Sequence, residues 1–353
     1  MKNIFDMTES EMELFFRELG EKTFRSRQVT GWIYSGAGSF DDMTDLPLSL
    51  REKLKEEAVL GTLTVADKKV SAKDGTKKFL LETPDGCGIE TVFMKYKYGN
   101  TLCVSSQVGC RMGCSFCGST LNGLERNLTA GEMVEQILVV QRETGQRIGH
   151  IVVMGMGEPL DNMEELFRFI RIIHNKNGLN LSLRNITVST CGLIPGMRAL
   201  RKEFPQVNLA VSLHAGSSRV RGAMMPIERK YPMDQVLAEC KVHAEETGRR
   251  VTFEYALVRG VNDSDEHISR LAEKLRGIHA HVNLIPLNPV EETGLEGSSR
   301  KRGEEIARYL VGRGISTTLR RELGSDIQGA CGQLRNKKMS EKCRDNQLRR
   351  DIL

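Results

Sequence analysis

The sequence predicts an α/β protein: a partial (β/α)6-type barrel that follows a small N-terminal helical domain and a short β segment. Apolar strand-like segments and amphipathic helix-like segments alternate about six times from residue 101 onward. Continuous apolar strands separated by helices are typical of parallel β/α units, and the spacing of the strands is about that of a β/α barrel. Two other observations support this prediction: the helical periodicity of the residues before residue 60, and the polar residues at the ends of the barrel strands.

Residues 1–60 are predicted to form the N-terminal helical accessory domain. Thr8 and Glu11 fit a capping box in front of the apolar pattern MELFFREL, which stops at Gly20. Two further amphipathic stretches follow, FRSRQVTGWIY and LSLREKLKEEAVL. Residues 61–98 then change to strand-like alternation with two Asp-Gly turns, which predicts a β-hairpin linker region.

Residues 99–335 are predicted to form the core barrel, and residues 336–353 a basic C-terminal tail. Several strand candidates of the barrel end in small, polar or acidic residues. Barrel active sites gather at the C-terminal ends of the strands, so these residues are candidates for an active site, although each alone also fits a turn or a helix cap. They are Gly157, Glu158, Ser189, Ser212, His214 and Asn288.

The composition restricts the class of protein. Hydrophobic residues make up 39% of the 353 residues, and no apolar run reaches the roughly 18 residues that a membrane helix needs. The N-terminus carries acidic residues early, so a cytoplasmic protein without a membrane partner is expected. The net charge is +5, and the basic residues concentrate late in the chain, which suits contact with RNA phosphates or simply a solvated surface.

Cys110, Cys114 and Cys117 form a C-x3-C-x2-C loop just after the first barrel strand. In a reducing compartment, clustered thiols indicate metal binding or redox catalysis rather than structural disulfides. Three thiolates can hold three irons of a [4Fe–4S] cluster and leave the fourth iron open. The alternative is a closed zinc site in which Cys103 is the fourth ligand.

The cysteine loop resembles the cluster motif of the radical S-adenosylmethionine (SAM) superfamily. The strings TLCVSSQVGC, NLTAGE, MGMGEPL, NITVSTCG, AVSLHA, VNLIPLNP and GACGQL occur in order around it. Together they resemble the bacterial dual-specificity RNA methyltransferases that methylate carbon-2 of adenine in 23S rRNA and tRNA, over essentially the whole chain.

The resemblance implies a [4Fe–4S] cluster held by Cys110, Cys114 and Cys117, with SAM bound at the open iron. It also implies a set of SAM contacts that agrees with the polar strand ends. These contacts are Gly157, Glu158, Ser189, Ser212, Leu213, His214 and Asn288.

Three catalytic residues follow from the resemblance. Cys331 matches the cysteine that is methylated by a first SAM. A second SAM then yields a 5′-deoxyadenosyl radical, which takes a hydrogen atom from that methyl group so that the methylene adds to the adenine. Cys103 matches the partner that releases the product through a transient disulfide, and Glu90 matches the proton acceptor. Cys87, Cys191, Cys240 and Cys343 receive no role.

The resemblance further implies RNA substrates, an electron donor such as flavodoxin or ferredoxin, and a monomeric protein. Two alternatives stay open at this point. A related enzyme methylates carbon-8 of the same adenine, although SSQVGC and GEP in this chain favour carbon-2. A zinc-binding RNA module without catalysis is the other alternative. Small departures from the family pattern, such as CGST after the cluster motif, leave substrate choice open.

Overall fold

The computed structural model describes residues 1–288, 291–321, 323–329 and 331–334, so the predicted basic tail lies outside the described residues. The strands are β1 (Lys2–Asn3), β2 (Ala58–Val59), β3 (Thr64–Val70), β4 (Lys77–Glu82), β5 (Gly88–Tyr96), β6 (Gly99–Cys103), β7 (Gln107–Gly109), β8 (Leu124–Asn127), β9 (His150–Val153), β10 (Ile186–Thr190), β11 (Asn208–Ser212), β12 (Val251–Leu257), β13 (Ala280–Pro286) and β14 (Ser316–Leu319).

The α-helices cover one face of the main sheet and form most of the N-terminal region. They are α1 (Glu9–Glu18), α2 (Phe24–Tyr34), α3 (Leu48–Glu57), α4 (Ala130–Thr144), α5 (Met163–His174), α6 (Ile194–Glu203), α7 (Ser218–Met224), α8 (Met233–Thr247), α9 (Asp265–Lys274) and α10 (Arg300–Gly312).

A ten-stranded sheet organises the molecule, in the order β14-β13-β12-β11-β10-β9-β6-β5-β4-β3. Strands β6 and β9 to β14 are parallel, and a helical connection lies between each pair of successive strands. These six β/α units confirm the predicted α/β barrel-type fold. Most residues of β9 to β13 are buried, because helices cover the outer face of these strands.

The region predicted as a β-hairpin linker contains three strands that extend the barrel sheet. Strands β3, β4 and β5 pair antiparallel with one another, and β5 pairs with β6. The reason is burial: seven successive residues of β5, from Gly88 to Met94, are buried. A strand buried on both faces cannot lie at an edge, so it requires a neighbour on each side.

The N-terminal helices pack against the start of α4. The predicted capping box forms, and Thr8 N–H donates to the Glu11 carboxylate at 2.8 Å. Asp6 accepts from the backbone N–H of Gly131 at 2.6 Å, and a Cβ at Gly131 would lie 2.6 Å from that same oxygen. Glycine at this position therefore allows the N-terminal region to approach α4 closely.

The residues that follow β14 run across the molecule to the opposite edge of the sheet. We call residues 320–334 the closing segment. Asp326 accepts from the Ser71 hydroxyl at 2.7 Å, and Gly324 N–H donates to Asp74 at 2.9 Å, both in the β3–β4 turn. The segment thus connects the two ends of the sheet. No helix among the described residues is long and apolar enough to cross a membrane.

Candidate active site

The three cysteines of the C-x3-C-x2-C loop surround one side of an open cavity of ≈ 1000 Å³, which we call the three-cysteine cavity. The loop begins directly after β7, and Cys110 N–H donates to Gly123 O at 2.8 Å. Gly109 has a φ of +76°, and a Cβ there would lie 2.0 Å from the same carbonyl oxygen. Only glycine fits, so the start of the loop is fixed by the backbone.

The electrostatics of these thiols fit a cationic cluster. Burial raises the pKa of Cys110 to about 12, and the nearby Cys117 and Glu158 add to that rise. Burial likewise raises the pKa of Cys114 and of Cys117, and the other cysteines contribute in each case. Three such thiols ionise together only when a positive group compensates their charge. The donor set therefore fits the iron–sulfur cluster that the cysteine spacing predicts.

The zinc alternative does not fit this geometry. Cys103 does not border the three-cysteine cavity, so it is not the fourth corner of a tetrahedron. Within the part of the chain that the structure describes, no three His, Cys, Asp or Glu side chains converge tightly enough to hold one metal ion. In a cluster, by contrast, each thiolate binds a different iron.

Most of the predicted cofactor contacts border the same cavity. Gly157, Glu158, Ser189, Ser212 and His214 line it, at the C-terminal ends of β9, β10 and β11. Two predicted contacts do not. The side chain of Leu213 is fully buried away from the cavity, and Asn288 borders a neighbouring cavity instead.

Glu158 is held rigidly beside the cysteines. Its carboxylate accepts from the N–H of Cys191 at 2.7 Å and of Leu160 at 3.1 Å, and its own N–H donates to Gln107 at 2.8 Å. Gly157 has a φ of +106°, and a Cβ there would lie 2.6 Å from Gln107 Cβ. Burial raises the pKa of Glu158. A carboxylate fixed in this way suits an ammonium group, which also favours its ionised form.

His214 has a defined tautomer. Its Nδ1 accepts from the backbone N–H of Ala256 at 2.9 Å, so Nε2 carries the proton. Burial lowers the pKa of His214 to about 3, and the charge of Arg221 contributes to that. The ring meets Phe116, between Cys114 and Cys117, edge to face at 4.7 Å. Neutral His214 therefore offers one N–H donor beside the cysteine loop.

Cys103 and Cys331 border a second cavity, which we call the Cys103 cavity. Cys331 also borders the three-cysteine cavity, so it lies on the wall between the two. Burial raises the pKa of Cys103 to about 12, and the proximity of Cys331 adds to it. Cys331 is held near the cysteine loop, because the N–H of Gly118, which directly follows Cys117, donates to Gly332 O at 2.7 Å. The two catalytic candidates are thus brought together.

Arg320, which the sequence analysis did not single out, contacts Cys331 directly. Its Nη1 donates to Cys331 Sγ at 2.9 Å, and its side chain borders both cavities. The charge of Cys331 raises the pKa of Arg320, against the effect of burial. A guanidinium in this position directs a charged hydrogen-bond donor at the sulfur. Its position at the C-terminal end of β14 is the signal that could have identified it.

Glu254 is a second residue that the sequence analysis missed. It lies in the middle of β12, borders the three-cysteine cavity and accepts from Asn283 Nδ2 at 2.8 Å. Burial raises its pKa, whereas the charge of Arg320 lowers it. An acid inside an otherwise apolar strand, VTFEYAL, was the available signal.

Glu90 borders neither cavity. It forms a buried ion pair with Lys78, whose Nζ lies 2.9 Å from Glu90 Oε1, and both side chains are 8% exposed. Lys78 also donates to Gln328 O at 3.1 Å, within the closing segment. The predicted proton acceptor therefore lines neither cavity, although its partner Lys78 contacts the segment that carries Cys331.

Comparison with known proteins shows the family of the chain. Residues 2–60 match the family model described as the ribosomal RNA large subunit methyltransferase N-terminal domain, and residues 104–272 match the radical SAM superfamily. The protein named probable dual-specificity RNA methyltransferase RlmN in Desulforamulus reducens is 50% identical over 336 residues, which cover 95% of this chain and 96% of that protein.

A relative of the same name in Clostridium novyi is 48% identical over 95% of this chain and 98% of its own length. The crystal structure of a radical SAM methyltransferase from Sphaerobacter thermophilus superposes with a TM-score of 0.91. It is 46% identical, and the match covers 95% of this chain and 99% of that one. The chain therefore belongs to the RlmN family of radical SAM RNA methyltransferases.

Proposed function

We propose that this methyltransferase modifies carbon-2 of a specific adenine in 23S rRNA and in tRNA, with Cys331 as the carrier of the methyl group. The observation that carries the proposal is the position of Cys331 on the wall between the three-cysteine cavity and the cavity of Cys103. A sulfur in that place can collect a methyl group on one side and deliver it on the other.

Carbon-2 of adenine lies between two ring nitrogens and is electron-poor, so it does not attack a sulfonium methyl group as a nucleophile. Cys110, Cys114 and Cys117 would hold a [4Fe–4S] cluster, and Glu158 and His214 would contact SAM. The cluster with SAM supplies the radical chemistry that such a carbon requires, at the expense of two SAM molecules per turnover. The chain itself must provide the nucleophile, the thiol that resolves the linkage and the base.

Cys331 is the nucleophile in this scheme, and Arg320 supports it by donating to Sγ. Cys103 attacks the sulfur of Cys331 after the carbon–carbon bond to adenine has formed. A Cys103–Cys331 disulfide forms and the sulfur–carbon bond breaks, with its electron pair passing to the RNA adduct. A reductant then returns both thiols, as expected of a transient disulfide in a reducing compartment.

Glu90 is proposed as the base. Its ion pair with Lys78 favours the ionised carboxylate, which is the form that accepts a proton. Lys78 also holds Gln328 O, so a shift of the closing segment would bring Glu90 and Cys331 into one space. Flavodoxin or ferredoxin is the proposed electron donor, and a cytoplasmic monomer is the proposed form of the protein.

The test is mass mapping of methylated adenines in total RNA from cells with and without this protein. Carbon-2 product that depends on the protein supports the proposal, whereas carbon-8 product alone contradicts it. Cys331→Ala should abolish the product, with Cys240→Ala as the control because Cys240 is buried in α8, away from both cavities. Reconstituted protein without iron and acid-labile sulfide would rule out the cluster.

A further inference from the structure

An exposed tyrosine forms the tip of the hairpin between β5 and β6. Tyr98 is 66% exposed, and its ring lies parallel to that of Tyr96, with centroids 4.9 Å apart and an interplanar angle of 8°. Two-residue hairpin turns usually contain Asn, Asp or Gly, because these residues tolerate the backbone conformation. Here the turn consists of Lys97 and Tyr98, so it exposes a large aromatic face where none is needed for folding.

The surroundings hold this ring in place. His150, at the start of β9, meets Tyr98 edge to face at 5.1 Å. Gly99 has a φ of +139°, and a Cβ there would lie 3.3 Å from the His150 ring. Glycine therefore leaves the room that the histidine occupies. Tyr98 is thus packed against two rings, while most of its surface remains exposed to solvent.

The aromatic stack connects to the Cys103 cavity. Tyr96 lies between Tyr98 and Met94, and its hydroxyl contacts Met94 Sδ at 3.6 Å. Met94 borders the Cys103 cavity together with Cys103 and Cys331. The Tyr98 ring is therefore two side chains away from that cavity.

The charge around the tip is positive. Lys95 and Lys97 flank Tyr96 in sequence and are exposed, and Arg147, whose carbonyl accepts from Asn100, is exposed next to the hairpin. Cations beside an open aromatic face match the two features of a single-stranded nucleic acid, its phosphates and its bases.

We infer that Tyr98, stacked on Tyr96, is a platform for an unpaired RNA base next to the adenine that enters the Cys103 cavity. The inference deepens the proposed function, because an RNA substrate is its occupant. An adenine that is drawn out of its stack for chemistry leaves its neighbours without a stacking partner. Tyr98 replaces that partner, and the nearby lysines contact the adjacent phosphates.

The experiment measures binding of the reconstituted full chain to a 23S rRNA transcript for three variants. Tyr98→Ala and Tyr98→Leu should weaken binding roughly tenfold, whereas Tyr98→Trp should bind within about twofold of the parent, because only aromatic rings stack on bases. The matched control is Tyr309→Ala, since Tyr309 is an exposed tyrosine on α10 that borders neither cavity. In methylation assays, the KM for RNA should rise while kcat stays close to that of the parent.

Ultraviolet cross-linking gives a second measurement that needs no methylation. The peptide with Tyr98 should carry a cross-linked nucleotide, and the peptide with Tyr309 should not. If the Leu and Trp variants bind RNA equally well, no base stacks on the ring at position 98 and the inference fails. If Tyr98→Ala binds RNA normally but is reduced slowly by flavodoxin, the face belongs to a protein partner and the inference also fails. A parent protein that forms no carbon-2 product contradicts the proposed function alone, because binding and cross-linking still decide the platform.

Discussion

At the scale of single residues, Arg320 is a side chain that connects the three-cysteine cavity with the Cys103 cavity. It borders both cavities and donates a 2.9 Å hydrogen bond to the sulfur of Cys331. A methylated sulfur carries no charge and is a weak acceptor, so this contact is strong only before methyl transfer. Arg320 is thus expected to retain the sulfur until it reacts and to release it afterwards.

Arg320→Gln should slow methylation of Cys331 by roughly tenfold or more, because a charge-assisted hydrogen bond to the nucleophile is lost. Arg320→Lys should retain part of the rate, since the charge remains. The mass of the Cys331 peptide during a first turnover measures this directly. Arg313→Gln, at the exposed end of α10, is the control, and equal rates for the two Gln variants would refute the role.

His214 makes stability depend on pH. Its folded-state pKa of about 3 lies below the ordinary value of 6.5, because burial disfavours the charged ring. Between these values the unfolded chain binds a proton that the folded chain does not bind. The free energy of unfolding therefore falls as pH falls below 6.5, by at most about 1.4 kcal/mol per pH unit, and the loss is complete near pH 3.

His214→Asn should reduce this pH dependence. Asparagine tolerates the φ of +55° at this position, and its side-chain oxygen can replace Nδ1 as the acceptor for Ala256. Urea unfolding at a series of pH values measures the slope, with the exposed His279→Asn as the control. A variant whose stability falls with acid as steeply as that of the parent contradicts the assignment.

At the scale of elements, the closing segment decides where Cys331 lies. Its anchors are Asp326 on the β3–β4 turn, Gln328 on Lys78, and Gly332 on the cluster loop. These anchors come from the β3–β4 turn, from β4 and from the cysteine loop. Apart from Ser325–Ile327, the described residues of this segment have no regular structure, so hydrogen bonds at a few points take the place of a helix or strand.

Asp326→Ala should loosen this segment without unfolding the barrel. The Ser71 hydroxyl and the Ala72 N–H would lose their acceptor, so backbone amides near Cys331 should exchange with deuterium several-fold faster. Hydrogen–deuterium exchange with mass spectrometry resolves the peptide. Asp234→Ala, which removes a surface pair with Lys274, is the control, and unchanged exchange in the Asp326 variant would show that the anchor is unimportant.

At the scale of the whole molecule, the N-terminal region and the barrel are joined through α4. Glu135 is 1% exposed, and it accepts from the N–H of Thr62 at 2.8 Å and of Leu63 at 2.6 Å. Burial raises the pKa of Glu135, and these donors partly offset the effect. One buried carboxylate therefore satisfies the backbone at the point where the chain passes from the helices to the sheet.

Glu135→Ala should lower the free energy of unfolding by about 2–4 kcal/mol, because buried donors lose their acceptor. The chain should also become sensitive to proteolysis near residues 60–63. Urea unfolding and limited proteolysis measure the two effects. Glu143→Ala removes an exposed acid at the other end of the same helix and is the control. If the free energy of unfolding falls by the same small amount in both variants, Glu135 does not hold the N-terminal region to the barrel.

Local patterns in the sequence predicted the barrel and the cysteine loop, because both depend on spacing along the chain. Gly157, Glu158, Ser189, Ser212 and His214 were found as strand ends, since parallel strands finish at one edge. The roles assigned to these residues, and those of Cys103, Cys331 and Glu90, stay predictions.

The remaining features depend on contacts between distant segments. Apart from its place at the end of a strand, nothing in TTLRRE distinguishes Arg320 from a surface arginine, and its contact with Cys331 requires the path of the closing segment. The pairing of Lys78 with Glu90 requires the register of β4 and β5. The β segment was interpreted as a linker because alternation reveals a strand but not the strand that pairs with it.

The anchoring of Gly332 on Gly118 has a consequence for biosynthesis. A chain made from its N-terminus has released the cysteine loop and all seven strands that follow it, β8 to β14, before Cys331 leaves the ribosome. The three predicted cluster ligands are therefore in place before Cys331, the proposed methyl acceptor, arrives. A newly made chain gains its reactive sulfur last, over a cavity that is already built.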